Sequence, residues 1–194
     1  MRLVLGLGNP GARYTRTRHN VAWWVLDVLA SRGEAVELPG HPAYRTRRAI
    51  LAGHEVVLLQ PLTFMNLSGE ALQAWREHNG SESELLVVTD DVYLPVGSLR
   101  LRTGGSPGGH RGLESIEAAV GGADYTRLRI GVGAAGESAE LRSHVLEEFP
   151  PEELPVIEEA VRVAADVVEC WVTEGALGAM NRFNRRVRQE ESET

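Results

Sequence analysis

Gly6-Leu7-Gly8-Asn9-Pro10-Gly11 lies directly behind the apolar run Leu3-Val4-Leu5, and Arg18-His19-Asn20 follows it. How this stretch is read decides the fold. It satisfies the G-x-G-x-x-G spacing of a dinucleotide turn. In such a turn the third glycine opens the helix that receives the pyrophosphate, and an acid about 20 residues on binds the ribose. Here a polar, basic stretch, residues 12–18, delays the helix to about Asn20, and the acid nearest the required distance, Asp27, falls mid-helix. The pattern therefore keeps its strand and tight loop and loses its cofactor. What remains is a glycine loop that brings backbone close to a ligand, with Asn9 inside it and His19 just ahead of a helix.

At 194 residues and 43% hydrophobic content, the chain is long enough for one compact domain with a substantial core. We expect residues 1–188 to form it and 189–194 to be a disordered tail. No apolar run approaches membrane-spanning length, and the N-terminus reads as a strand, not a leader, so a cytoplasmic protein with no membrane partner is expected. The single cysteine, Cys170, excludes an internal disulfide; beside Trp171 in an apolar helical stretch it reads as a buried, inert thiol. All 20 basic residues are arginine, which excludes Schiff-base, lysine-nucleophile and P-loop lysine chemistry. Guanidinium forks suit phosphate and carboxylate geometry. The net charge of -7 conceals a gradient: residues 1–50 hold eight arginines against three acids, and residues 136–194 six against fourteen. A basic N-terminal face can meet phosphates while an acidic C-terminal region stays solvated.

Periodicity gives alternating strands and helices. Strands are expected at 2–7, 85–89, 97–102 and 128–132, with a hairpin of 43–52 and 55–60 turning across Gly53-His54. Helices are expected at 20–31, 66–78 and 110–120. An acidic, helical region begins at Ala139, breaks at Pro150-Pro151, runs on through Val172 and ends in a short helix near 176–186. This is the pattern of an α/β single domain, a twisted mixed β-sheet flanked by helices.

Two further constellations bear on chemistry. Gly104-Gly105-Ser106-Pro107-Gly108 matches the G-x-S-x-G nucleophile elbow, and Ser106, Asp124 and His144 follow in the chain order of a hydrolase triad. The elbow needs an N–H on the residue after serine, and Pro107 has none. A glycine-rich loop approaching a ligand is the better account. The second constellation consists of polar residues where elements begin or end: Asn9, His19, Asn20, Asn66, and the pair Asp90-Asp91 closing an apolar strand. Singly, Asn20, Asn66 and Asp90 read as caps and turn residues. Together they sit where α/β sheets bind ligands.

Gly6–Asn20, Thr63–Gly69, Asp90–Pro95, Gly104–Gly112 and Arg127–Gly133 have the order and spacing of bacterial-type peptidyl-tRNA hydrolases, and the chain resembles that family over roughly residues 2–186. The resemblance implies hydrolysis of the ester between a peptide and the 3′ ribose of tRNA, with the acceptor stem and 3′ end as partner, no metal or organic cofactor, and a monomer. It makes His19 the general base, Asp90 the group that fixes its tautomer, and Asn9 a third catalytic residue that, with Asn66, grips the peptide and ester end. Tyr14, Phe64 and Met65 supply stacking or apolar surface, with core packing the alternative for Phe64 and Met65. Arg102 and Arg129, with Arg100 a weaker candidate, are implied phosphate contacts.

Arg111 stands where the family commonly has Asn. It cannot accept a hydrogen bond, and could donate to a terminal phosphate or to a developing oxyanion. The competing reading is a non-catalytic RNA-binding protein on the same scaffold. A dinucleotide oxidoreductase keeps only the glycine pattern.

Overall fold

The structure is a computed structural model that describes residues 1–134 and 142–190, with side chains through residue 184. A seven-stranded sheet forms its centre: β1 (Arg2–Gly6), β2 (Val36–Glu37), β3 (Tyr44–Leu51), β4 (His54–Pro61), β5 (Glu84–Asp91), β6 (Leu99–Thr103) and β7 (Thr126–Gly131). The strand order is β2-β3-β4-β1-β5-β7-β6. The inner four, β4, β1, β5 and β7, run parallel, while β3, β2 and β6 are antiparallel to their neighbours. The mixed sheet expected from sequence is present.

The inner strands read as continuous apolar runs because both faces are covered, as parallel sheets require. Leu3, Leu5, Val57, Leu59, Leu85 and Val87 face α2 (Ser68–Asn79) and α3 (Arg111–Val120). Val4, Val56, Leu58, Leu86 and Val88 face α1 (Val21–Arg32) and α4 (Leu154–Glu190). Successive residues thus alternate between two cores, as the pleat dictates.

Three expectations shift. The hairpin turns at Ala52-Gly53, both with positive φ, so that Leu51 pairs with His54 one residue earlier than expected. The two late helices are halves of α4, broken at Gly175, whose φ of 72° and ψ of 179° no helix accommodates. Helix α4 reaches Glu190, past the expected domain end at 188. The rest of the tail, residues 191–194, and the start of the acidic helical region, residues 139–141, lie outside the described residues.

The parallel strands aim four carboxyl ends at one side of the sheet: the loop after Gly6, the segment after Pro61, Asp90-Asp91, and Val132. Ligands of α/β sheets bind at such ends.

Candidate active site

The glycines of the first loop have a reason other than ligand approach. A Cβ at Gly6 would meet the Leu26 side chain at 2.9 Å, and one at Gly8 would meet the Trp23 ring at 2.5 Å. Trp23 in turn donates its indole N–H to Gly6 O at 3.0 Å. The spacing therefore seats the loop against α1; only Gly11 has a positive φ, 111°. Asn20 completes the clamp. It makes no capping bond; its side-chain oxygen accepts the Asn9 N–H at 2.9 Å and its amide donates back to Asn9 O at 2.9 Å.

With its backbone fixed, Asn9 directs its side chain across the sheet end. Its Oδ1 accepts the backbone N–H of Met65 at 2.8 Å. That assigns the amide orientation and leaves the two Nδ2 protons as donors.

A short 3-10 turn, Arg18–Asn20, delivers His19, whose Nδ1 lies 2.8 Å from Asp90 Oδ2. Asp90 is buried at the end of β5, and its other oxygen, Oδ1, lies 2.9 Å from His110 Nε2. His110 was not singled out from sequence. It is the N-cap of α3, its Nδ1 accepting the N–H groups of Gly112 and Leu113. An acceptor Nδ1 means a proton on Nε2, which is donated toward Asp90 and the Thr89 hydroxyl. The sequence signal was a histidine flanked by glycines ahead of a helix.

Burial alone would lower the His19 pKa, and the adjacent Asp90 carboxylate more than offsets it, so the value stands above the ordinary 6.5. Burial likewise opposes ionisation of Asp90, yet the two imidazoles hold its pKa far below the usual carboxylate range. Asp90 is thus a fixed anion, and with Nδ1–H engaged, His19 keeps Nε2 as its basic atom. His19, Asp90 and His110 bring one ligand atom each within 4.8 Å of one another, close enough to share a cation. Both carboxylate oxygens already face imidazole nitrogens, so a cation would have to displace those contacts. Asp90 as an acceptor between two N–H donors suits proton transfer better.

These groups open into a cleft of about 570 Å³ whose lining includes Asn9, His19, Met65, Asn66, Asp90, Tyr93, His110, Arg111, Arg129 and Leu146. Asn66 is exposed in the 3-10 turn Met65–Leu67 and caps nothing. Arg111 is exposed at the first turn of α3. Arg129 lies in the lining with its guanidinium engaged, donating to Asp91 Oδ2 at 3.1 Å and to Ser106 O at 2.6 Å, so it ties the Gly104–Gly109 loop to the sheet.

Tyr14, Phe64 and Arg102 are not part of the lining. Tyr14 is half-buried under Arg13, Phe64 is 52% exposed beside Met65, and Arg102 is exposed on β6. Met65 is core. The elbow candidates do not assemble: Ser106 Oγ accepts the Gly108 N–H, and His144 is buried against the carbonyls of Val132 and Gly133.

The family model for peptidyl-tRNA hydrolase matches residues 3–192. A peptidyl-tRNA hydrolase of Symbiobacterium thermophilum is 44% identical over 186 residues, 94% of this chain and 98% of that protein. One of Shouchella clausii is 40% identical over 190 residues, covering 95% and 100%. The crystal structure of peptidyl-tRNA hydrolase from Acinetobacter baumannii superposes with a TM-score of 0.87 at 34% identity, covering 95% of this chain and 94% of that one. The chain belongs to the peptidyl-tRNA hydrolase family.

Proposed function

We propose that this chain hydrolyses the ester between an N-blocked aminoacyl or peptidyl group and the 3′ ribose of tRNA, freeing the tRNA for reuse. The observation that carries the reading is the His19–Asp90 contact at 2.8 Å on the cleft wall, in a chain of this family. His19 Nε2 takes a proton from water as the water oxygen attacks the ester carbonyl. Asp90 holds the tautomer and stabilises the imidazolium, as the aspartate of a catalytic triad does. Collapse of the tetrahedral intermediate expels the ribose 3′ oxygen, which recovers the proton from His19.

The Nδ2 protons of Asn9 and the exposed amide of Asn66 receive the peptide and ester oxygens, being polar without charge. Arg111, beside the N-terminus of α3, supplies positive charge for the oxyanion or the terminal phosphate. Arg102, and Arg129 where its paired fork still faces the cleft, meet acceptor-stem phosphates, while Tyr14 and Phe64 offer faces for unpaired 3′ bases. In keeping with the family resemblance on which this reading rests, the enzyme acts as a monomer in the cytoplasm. No helix among the described residues is long and apolar enough to cross a membrane.

The deciding experiment compares release from N-acetylaminoacyl-tRNA and from free aminoacyl-tRNA. Rapid release from the first, slow release from the second, and loss of both in His19→Ala are expected. Binding of tRNA without release by the wild-type protein would favour the RNA-binding alternative.

A further inference from the structure

Arg18 immediately precedes the general base, yet its side chain is turned away from the cleft and 6% exposed. Nη1 donates to Val132 O at 2.9 Å. Glu153 Oε2 lies 2.6 Å from the same nitrogen as an ionic partner, its alignment not that of a hydrogen bond. The guanidinium carbon stands 4.7 Å over the Phe149 ring. The backbone on either side is also held: Arg18 N–H donates to Glu147 O at 2.9 Å, His19 N–H to Val145 O at 2.8 Å, and Thr17 bridges Glu148.

These contacts close a ring. His19 bonds Asp90; Asp91, the next residue, accepts the Val132 N–H at 3.0 Å; Val132 O accepts from Arg18; and Arg18 is joined to His19 by the chain. The loop bearing the base and the strand bearing the carboxylate are thus fixed to each other through Arg18 as well as through the dyad. The arrangement is costly. Among the described residues Arg18 Nε is buried with no hydrogen-bond partner, and a buried ion pair with an unmatched donor stabilises a fold less than apolar side chains of similar volume do. Simple packing would not need a guanidinium. A planar cation that lies over the Phe149 ring while its Nη1 donates to a carbonyl and meets a balancing carboxylate does need one.

We propose that Arg18 is a positioning residue for the reaction, holding the His19 imidazole in register with Asp90 by bracing the base-bearing loop against the end of β7 and the 145–149 segment. Val145 and Leu146 of that segment also line the cleft. A substrate that presses on them therefore acts on the backbone carbonyl that holds His19. The effect on rate rests on the hydrolase reading above; the effect on His19 does not.

The test uses Arg18→Lys, which keeps the charge and loses the planar face over Phe149, and Arg18→Met, which keeps the bulk. The pKa of His19 is measured by NMR titration of the free protein, and kcat and KM on N-acetylaminoacyl-tRNA. In Arg18→Lys the His19 pKa falls toward 6.5, because a loosened Asp90 contact raises it less and no nearby charge has been removed. We expect kcat to fall by about 10- to 100-fold, the scale of a small misplacement of a catalytic group, with KM within about twofold. An Arg18→Lys protein in which His19 titrates as in the wild type overturns the proposal, whatever its rate. Arg18→Met keeps the question open to refutation if the lysine variant fails to fold: a folded methionine variant with wild-type kcat overturns it too. A wild-type protein that fails to release the acyl group refutes the hydrolase reading and leaves the titration result standing.

Discussion

Asp90 Oδ1 faces the Nε2–H of His110 at 2.9 Å, on the carboxylate oxygen opposite the one that holds His19. His110 thereby does two jobs, capping α3 through Nδ1 and orienting Asp90 through Nε2. His110→Asn separates them, since asparagine caps helices well but its amide is too short to make both contacts. We expect Tm to move by less than about 4 °C. The rate of N-acetylaminoacyl-tRNA release should fall about tenfold or more, less than the roughly 100-fold or greater loss expected for the general base itself. A folded variant at full rate would show that Asp90 is oriented without its second imidazole.

His110 also marks where the sequence stopped being legible. The apolar runs of the parallel strands announced themselves because burial on both faces leaves no polar positions, and Asn9, His19, Asn66 and Asp90 fell at element ends. The function of His110 depends on meeting Asp90, twenty residues away along the chain and adjacent only once β5 and α3 are packed. The same limit hid the packing role of Gly6 and Gly8, whose close neighbours, Leu26 and Trp23, are set by the docking of α1. Strand β2 was invisible because it is two exposed residues, Val36 and Glu37, too short for any period.

The raised His19 pKa fixes the acid limb of the pH–rate profile. Activity should fall as pH drops through a value above 6.5, as Nε2 becomes protonated. Asp90→Asn removes the charge that raises this pKa and leaves the burial that lowers it, so the limb moves to lower pH while the plateau drops about 100-fold. The same linkage has a stability side. The contribution of the raised His19 is full below the unfolded pKa of about 6.5 and is lost as pH climbs through the folded value. That of the depressed Asp90 is present above about 3.9 and is lost only as pH falls toward its folded value. Urea denaturation across pH should show the first loss disappear in Asp90→Asn; an unmoved acid limb would break the assignment.

Asn9→Asp keeps an oxygen for the Met65 N–H and removes both Nδ2 donors. The fold should tolerate it, whereas Asn9→Ala leaves that buried N–H unpaired at a cost of about 1–3 kcal/mol. Release should fall by about two orders of magnitude in Asn9→Asp, as on loss of an oxyanion donor, because a carboxylate meets the developing negative charge. Equal rates in Asn9→Asp and wild type would mean that Asn9 only braces the loop.

Gly69 sits where α2 packs against α3, its N–H on Ser115 Oγ at 2.9 Å. A Cβ there would stand 2.1 Å from Ser115 O, a backbone atom that can yield only if the helices part. Gly69→Ala should therefore destabilise by about 3 kcal/mol, at the upper end of overpacking effects. The starts of both helices carry cleft residues, Asn66 just before α2 and Arg111 at the head of α3, so kcat should fall along with Tm. A stable, fully active Gly69→Ala enzyme would show the helix pair to be more compliant than its packing implies.

Arg102 and Arg129 separate phosphate attraction from architecture. The Arg102 side chain is exposed on β6 with no ion pair or hydrogen bond among the described residues, whereas that of Arg129 is held by Asp91 and Ser106. Each phosphate contact contributes about 0.7 on a single strand to about 0.9 on a B-form duplex to the slope of log K against log salt. Arg102→Ala should lower that slope by about one and weaken tRNA binding at low salt, with Tm unchanged. Arg129→Ala should do more. It strips Asp91 of its cation, frees the loop that borders the cleft and lowers kcat as well as affinity. Binding isotherms from about 50 to 200 mM salt, set beside thermal unfolding, distinguish the two. A slope unchanged in Arg102→Ala would remove that arginine from the phosphate path and leave the acceptor stem to the arginines that line the cleft, Arg111, Arg129 and Arg142.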